Sequence, residues 1–232
     1  FTSYDPATSE MTTVAVADYA YDVSGHLRQE WDPRISPSLV TSYSYDANGR
    51  LSTLTPPGLA GWSFGYSTSS TTNGWLSSVS HPDTSGATAT STVVYGIPVD
   101  ATGPVDLSKA AVAAWGETSS WPVTAAAVFT PDHVPSASPS ASDWPYAQIT
   151  YMDVNGRPVN TAAYGNGGWL YDAEQYDGFG NNVLSISPGN VAQAITPTSA
   201  TDPAVQAPSV SEISRAKDLA TISTYSTDGT DL

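Results

Sequence analysis

Tyr43-Ser44-Tyr45-Asp46-Ala47-Asn48-Gly49-Arg50-Leu51 is the stretch whose reading decides the fold. Tyr43 and Tyr45 are two residues apart, so both project from one side of an extended strand. Asp46 closes that strand, and its carboxylate is suited to accept backbone N–H groups of the turn that follows. Asn48-Gly49 supplies the positive φ that a tight hairpin turn needs. Leu51-Ser52-Thr53-Leu54 reads as the returning strand, and Pro56-Pro57-Gly58 ends it. The unit is one β-hairpin.

The unit recurs along the chain. Tyr19-Ala20-Tyr21-Asp22-Val23-Ser24-Gly25-His26-Leu27 stands 24 residues earlier. Tyr151 and Asp153-Val154-Asn155-Gly156-Arg157 repeat the Asp-x-x-Gly spacing, and Tyr176-Asp177-Gly178-Phe179-Gly180 repeats it another 24 residues on. Weaker copies lie at Gly74, 25 residues after Gly49, and at Gly229, 49 residues after Gly180. A lone hairpin is marginal in water, whereas a row of hairpins joined edge to edge is stabilised by its neighbours. The expected fold is all-β: consecutive antiparallel hairpins forming part of a large curved sheet or hollow shell, with one short helical insertion. Tyr19, Tyr21, Tyr43, Tyr45, Tyr151 and Tyr176 are expected to stack along its inner face. Asp22, Asp46, Asp153 and Asp177 cap the turns, and Gly25, Gly49, Gly74, Gly156, Gly180 and Gly229 make them.

Residues 1–92 and 147–232 carry the hairpins, the latter with an irregular Pro-rich segment, and residues 93–146 interrupt them. All three are expected to be one continuous fragment of a larger shell, excerpted from a longer polypeptide. Within the interruption Asp106 to Gly116 reads as a helix. Asp106 is its N-cap, Gly116 fits just past its end, and Leu107, Ala111, Ala114 and Trp115 share a face. Pro131 to Pro145 is rich in Pro, Ser and Ala and reads as a surface loop or disordered spacer. Short helices are expected around Asn190–Ile195 and Ser211–Ala220, with a last strand at Ile222–Tyr225.

Composition narrows the function. The 22 acidic residues outnumber the 7 basic ones, for a formal charge of −15. Such a surface repels phosphate backbones and anionic lipid heads, so neither nucleic acid nor membrane is an expected partner. No apolar run approaches the roughly 20 residues of a membrane span. The absence of cysteine excludes disulfides, thiolate metal sites and cysteine nucleophiles.

Of the three histidines, His26 takes the slot that Arg50 and Arg157 hold in sister units, His81 precedes Pro82, and His133 lies in the Pro-rich stretch. None belongs to a nucleophile elbow or a metal-binding helix motif. The recurring aspartates are better explained by turn capping than by glycosidase chemistry. No enzyme activity and no catalytic, cofactor or metal residues are expected. Asp46 to Gly49 and Asp153 to Gly156 match only the opening of a calcium loop, so calcium binding is expected to be weak and adventitious. Trp62, Trp75, Trp144 and Trp169 flank turns. They are read as filling the interior layer, with a sugar-stacking platform as the other reading.

The signature from Tyr43 to Leu51 resembles the YD repeat of the Rhs/WapA family, whose relatives include the TcB–TcC toxin cocoon and the teneurin barrel. Tyr151 to Ala162 and Glu174 to Asn181 resemble actinobacterial members in particular, with Gln175 inserted before Tyr176. The resemblance implies a structural wall segment of a secreted or cell-surface shell that encapsulates a polypeptide. In toxin-bearing members the cargo is the protein's own C-terminal toxin. Partners would be the remainder of the same polypeptide and the enclosed cargo. Asp32-Pro33 and Asp202-Pro203 lack the pattern of the family's autoproteolytic aspartate site. The alternative is a cell-surface adhesion or carbohydrate-binding module, with glycan contact.

Overall fold

The computed structural model describes residues 2–113, 117, 119–195 and 211–231. Among these, the strands are β1 (Thr2–Asp5), β2 (Glu10–Thr13), β3 (Asp18–Tyr21), β4 (Leu27–Trp31), β5 (Thr41–Tyr45), β6 (Leu51–Thr55), β7 (Trp62–Tyr66), β8 (Leu76–Pro82), β9 (Thr88–Tyr95), β10 (Thr124–Phe129), β11 (Ala147–Met152), β12 (Pro158–Gly165), β13 (Gly168–Tyr171), β14 (Ala173–Tyr176), β15 (Asn182–Ile186) and β16 (Thr221–Ile222). The helices are α1 (Lys109–Val112), α2 (Pro188–Ile195) and α3 (Ser211–Asp218). β3 to β13 form one eleven-stranded antiparallel sheet in sequence order. β1 pairs with β2 alone, and β14, β15 and β16 form a third sheet. The fold is all-β, with few helices. None of the described helices is long and apolar enough to cross a membrane.

The chain divides into two compact units, Phe1–Ser91 and Thr92–Leu232. In the first, β3–β4, β5–β6 and β7–β8 are three copies of one hairpin. Each copy has the same register shift beside its turn. Tyr21 faces Leu27 while Ala20 faces Gln29, so Arg28 is the extra residue. Ser52 and Ser77 are extra in the same way in the next two hairpins. One extra residue on the returning strand bends it and raises its twist, so all three hairpins are deformed alike. No described residue of this unit is fully buried. A hairpin here depends on contacts with its neighbours and not on a closed core.

The second unit does have a core, and its strands show why. β10 alternates buried Ala125, Ala127 and Phe129 with more exposed positions, and β11 does the same with Ala147, Ile149 and Tyr151. Across the ladder Ala125 faces Tyr151, Ala127 faces Ile149 and Phe129 faces Ala147. Small residues opposite large ones let the layer fill without strain. Ile97, Val105, Leu107 and Val112 from the segment after β9 belong to the same core, as do Ile186, Val191, Ala194 and Ala216. The Asn190 amide donates to the Leu219 carbonyl at 2.8 Å, which ties α2 to the end of α3.

Several expectations are corrected. The interruption contains β10, paired to β9 and β11, and so contributes a strand to the sheet. The described helix there runs only from Lys109 to Val112. Ser108 caps it, accepting the Ala111 N–H at 3.3 Å, while Asp106 accepts the Ser108 N–H in the turn before. Asp106 loses because a cap must sit immediately before the first helical residue. Ala114, Trp115 and Gly116 lie outside the described residues. The last strand is Thr221–Ile222 and does not reach Tyr225. The helix expected near Asn190 begins two residues earlier, at Pro188, whose missing N–H costs nothing in a first turn.

Two substitutions in β10 separate its two faces. Phe129→Ala should destabilise the second unit by about 3–5 kcal/mol, because its side chain is wholly enclosed. Val128→Ala, where the side chain is 45% exposed, should cost well under half of that. Urea unfolding followed by tryptophan fluorescence would measure both.

Candidate functional site: the aspartate turn and the tyrosine seat

Each Asp-x-x-Gly turn is built the same way. The Asp46 N–H donates to the Arg50 carbonyl at 2.8 Å, and the Gly49 N–H donates to the Asp46 carbonyl at 3.0 Å. Gly49 has φ of 75°, while Asn48 stays out of the left-handed region. The positive φ expected from Asn48-Gly49 thus falls on the glycine alone. Asp46 Oδ1 accepts the N–H groups of Asn48 and Arg50 at 2.8 and 3.0 Å. Its Oδ2 receives the Arg50 guanidinium through Nε and Nη2, both at 2.7 Å.

The pattern repeats around Asp153, with Asn155 and Arg157 N–H groups at 2.8 and 2.9 Å and the Arg157 guanidinium at 2.7 Å. At Asp22 the same oxygens meet Ser24, His26 and the His26 ring. At Asp177 they meet Phe179, Asn181 and the Asn181 amide. Each carboxylate is thus occupied by N–H groups of its own turn, which is the physical case against a catalytic or calcium role for it.

Electrostatics follow from these bonds. The His26 N–H holds the Asp22 carboxyl below the usual range. At Asp46 the Arg50 N–H does so first and its guanidinium second. At Asp153 and Asp177 burial pushes the carboxyl up, but the bonds from Arg157 and Asn181 outweigh it, and both end below the usual range.

The side chain after the glycine has a second task. The Arg50 guanidinium lies 4.5 Å from the centre of the Tyr66 ring, on the next hairpin. The Tyr66 hydroxyl donates to the Leu51 carbonyl at 2.7 Å. His26 stacks on Tyr45 at 4.7 Å, and the Tyr45 hydroxyl donates to the Leu27 carbonyl at 2.9 Å. Arg157 lies 4.7 Å from the Tyr176 ring, whose hydroxyl donates to the Pro158 carbonyl at 2.9 Å. In all three cases a tyrosine directly before one turn is seated under the residue that follows the previous turn's glycine. A cation or imidazole over an aromatic face attracts it, and the hydroxyl bond fixes its depth.

The candidate residues therefore fall into distinct places. Tyr45 and Tyr176 are seated tyrosines, and Tyr21 occupies the same position in its own hairpin. Tyr43 donates to Glu30 at 2.8 Å; burial first, and then that bond, push its hydroxyl up to about 12. Tyr19 is 53% exposed. The expected tyrosine-on-tyrosine stack is replaced by the alternation of tyrosine with His or Arg. Tyr151 is not equivalent to the others: it faces Asn160 as Ser44 faces Thr53, one residue out of step with Tyr45. It therefore projects from the opposite side of its strand and is fully buried, and that burial pushes its hydroxyl up to about 12.

Gly25, Gly49, Gly74, Gly156, Gly180 and Gly229 all have positive φ. Gly74 closes a longer loop on Ser67 with the same two backbone bonds. Gly229 closes on Ser226, and its carbonyl accepts the Asn181 amide at 2.9 Å.

Sequence reasoning missed two parts. Tyr66 was overlooked because Ser67 stands where the aspartate should be. A further turn, Asp83 to Ala87, has the same closure, with Gly86 at φ of 84°. It joins β8 to β9, at the end of the hairpins opposite the other turns, so it falls outside the 24-residue period. Its Asp-x-x-Gly spacing was the available signal.

The interruption has its own polar centre. Asp143 accepts His133 Nε2 at 2.8 Å, the Ser140 N–H at 2.7 Å and the Ser140 hydroxyl at 2.9 Å. The Ser140 N–H first, and then His133, hold its carboxyl down to about 2. His133 stacks on Tyr146 at 4.0 Å. The serine hydroxyls serve the carboxylate and not the imidazole, so no activated serine results. The Pro/Ser stretch is a tied loop. Beside it, Pro139, Trp144, Pro145, Tyr164 and Trp169 bound an open cavity of about 550 Å³. Trp144 and Trp169 pack on the core, whereas Trp62 and Trp75 are 42% and 52% exposed and do not fill an interior layer.

Hairpins of one construction, joined in order by one contact, define a β-hairpin repeat protein. A family model described as RHS Repeat matches residues 21–58, the span from Tyr21-Asp22 to Gly58. Residues 21–58 are thus an RHS/YD repeat. Comparison with curated proteins gave no match.

Two outcomes test the turn. Gly25→Ala and Gly49→Ala both place a side chain at positive φ, at a cost of about 1–2 kcal/mol each. Gly49→Ala should cost more, because its Cβ would lie 3.1 Å from His26 Nε2, while the space around Gly25 is open. Thermal melts of the two variants would rank them.

The pH dependence also has a definite sign. Carboxyls depressed by folding stabilise above the unfolded-state value of about 3.9, and that stability is lost as pH falls through the lower folded values. Tm should stay flat from about pH 7 to 5 and drop below about pH 4. Asp46→Asn should lower Tm at neutral pH and shrink the drop, as followed by circular dichroism.

Proposed function

We propose that this chain is a wall segment of a secreted or cell-surface Rhs-type shell that encloses a polypeptide cargo, the C-terminal toxin of the same polypeptide. The observation that carries the reading is the tyrosine seat, repeated at His26–Tyr45, Arg50–Tyr66 and Arg157–Tyr176. A contact that links each hairpin only to the next builds a surface of any length from a short repeat. Half-buried strands in the first unit suit a wall that is completed by further chain on its faces and edges. The role is mechanical: the wall keeps solvent and proteases from the cargo and keeps the cargo from the producing cell. Its partners are the rest of its own polypeptide and the cargo. The resemblance to the Rhs/WapA family supplies the enclosure, and the seat supplies the means of building it.

A carbohydrate-binding surface is the second reading, favoured by the cavity between Trp144, Tyr164 and Trp169. Aromatic walls with hydroxyl and backbone groups at the rim suit a neutral sugar, and the net charge of −15 disfavours an anionic one. Titration with neutral oligosaccharides, with Trp169→Ala as control, distinguishes this reading from the first.

Limited proteolysis of the native full-length parent tests enclosure. The expected result is a large resistant particle that retains a separate C-terminal fragment and includes this segment. Release of the segment as a free compact domain, with the C-terminal region digested, would overturn the enclosure.

A further inference from the structure

Among the described residues β3 has a strand partner on one side only, β4, and Tyr21 at its end is 61% exposed. Tyr21 precedes Asp22 as Tyr45 precedes Asp46 and Tyr176 precedes Asp177, and those two tyrosines are each seated under a residue of the preceding turn. Where hairpins of the first unit pair, the register is also constant. Gln29 and Glu30, four and five residues past Gly25, face Ser42 and Thr41. Thr53 and Leu54, four and five residues past Gly49, face Ser63 and Trp62. These receiving residues lie three and four before the seated tyrosine in both cases. The equivalent positions before Tyr21 are Asp18 and Ala17.

We propose that the free edge of β3, with Tyr21, is the docking surface for one further hairpin of the same repeat class, bearing Arg or His immediately after its turn glycine. That cation or imidazole covers the Tyr21 ring. The Tyr21 hydroxyl donates to the carbonyl of the following residue, and the fourth and fifth residues past the glycine pair with Asp18 and Ala17. An aromatic ring with its hydroxyl, beside an unpaired strand edge, selects for this partner. The edge supplies backbone bonds that any strand can make, and the ring supplies discrimination in favour of the Arg or His. The acidic surface adds a preference for a cationic turn over a neutral one.

This inference rests on the wall reading and names the partner at one edge of it. The probe is a backbone-cyclised peptide with the sequence of residues 41–55, whose Arg50 stands in for the missing cation. It would be titrated into isotope-labelled chain 1–232 and followed by amide chemical shifts. Saturable shifts at Ala17, Asp18 and Tyr21 are expected. Tyr21→Ala in the protein, or Arg50→Ala in the peptide, should each weaken binding by about tenfold, a change of about 1.4 kcal/mol. Tyr21→Phe should weaken it less, since the ring remains.

Because Tyr21 is exposed, its variants should leave the β5 to β8 amide shifts in place, which checks that they fold. No saturable binding, or binding indifferent to both alanine substitutions, overturns the proposal. If the peptide fails while the full-length parent still forms a resistant particle around its fragment, only the edge assignment falls. If the peptide binds and the parent encloses nothing, the seat stands and the enclosure falls.

Discussion

The aspartate carboxylate at the start of each Asp-x-x-Gly turn is the constraint on which the repeat depends. Its first oxygen accepts two N–H groups that the turn would otherwise leave without partners, and backbone groups left unpaired are costly. Its second oxygen holds the side chain after the glycine. That side chain would otherwise carry the rotamer freedom of a long surface residue, and ordering it would oppose any contact it made. Because the aspartate has already fixed it, the guanidinium or imidazole is in place for the next hairpin's tyrosine. A local turn device thus becomes a contact between repeats. The turn must also be left-handed at the glycine, and only glycine adopts that backbone without strain.

The contact does not require an unbroken sheet. Arg157 covers Tyr176 although β13 follows β12 in the large sheet and β14 belongs to another. A seat that survives a change of sheet sets the spacing of hairpins by itself, and strand pairing follows where the register allows. Substitution at the covering position is tolerated for the same reason. His26 and Arg50 and Arg157 differ in size and charge, yet each bonds to its own aspartate and lies over the next ring. Asn181 keeps the bond to Asp177 and reaches the Gly229 carbonyl instead of a ring.

Much of this was legible in the sequence, and the parts that were not share a cause. The hairpins could be read from Tyr-x-Tyr, Asp-x-x-Gly and the 24-residue period, because these are local and repeat. The shifted register at Arg28, Ser52 and Ser77 left no mark, since Arg28 shares no chemistry with the two serines; the bulge is imposed by the turn and not by the side chain. β10 was invisible because Thr124-Ala125-Ala126-Ala127-Val128-Phe129 carries no turn signature and its alanines favour helix over strand. Its neighbours decide the matter, as Tyr151 and Ile149 need small residues opposite them. Tyr151 was misassigned to the face of the other tyrosines because counting back from Asp153 gives two residues, where Tyr45 and Tyr176 stand one before their aspartates. In a strand, one residue reverses the face.

That single step in parity also separates two kinds of hairpin within the large sheet. In the first unit Tyr45 and Tyr66 occupy the position directly before their turns, stay partly exposed and connect hairpins. At Asp153 that position is Met152, and the tyrosine has moved to the other face, where it meets Ala125 and completes a core. The Asp153 turn still makes every bond of its sisters and still covers a tyrosine on the following hairpin. The turn is therefore indifferent to what lies on the far face of its strands. A repeat whose connecting contact and packing face are independent can carry a core under one stretch and leave another open, which is the freedom a long wall needs if insertions are to be accommodated along it.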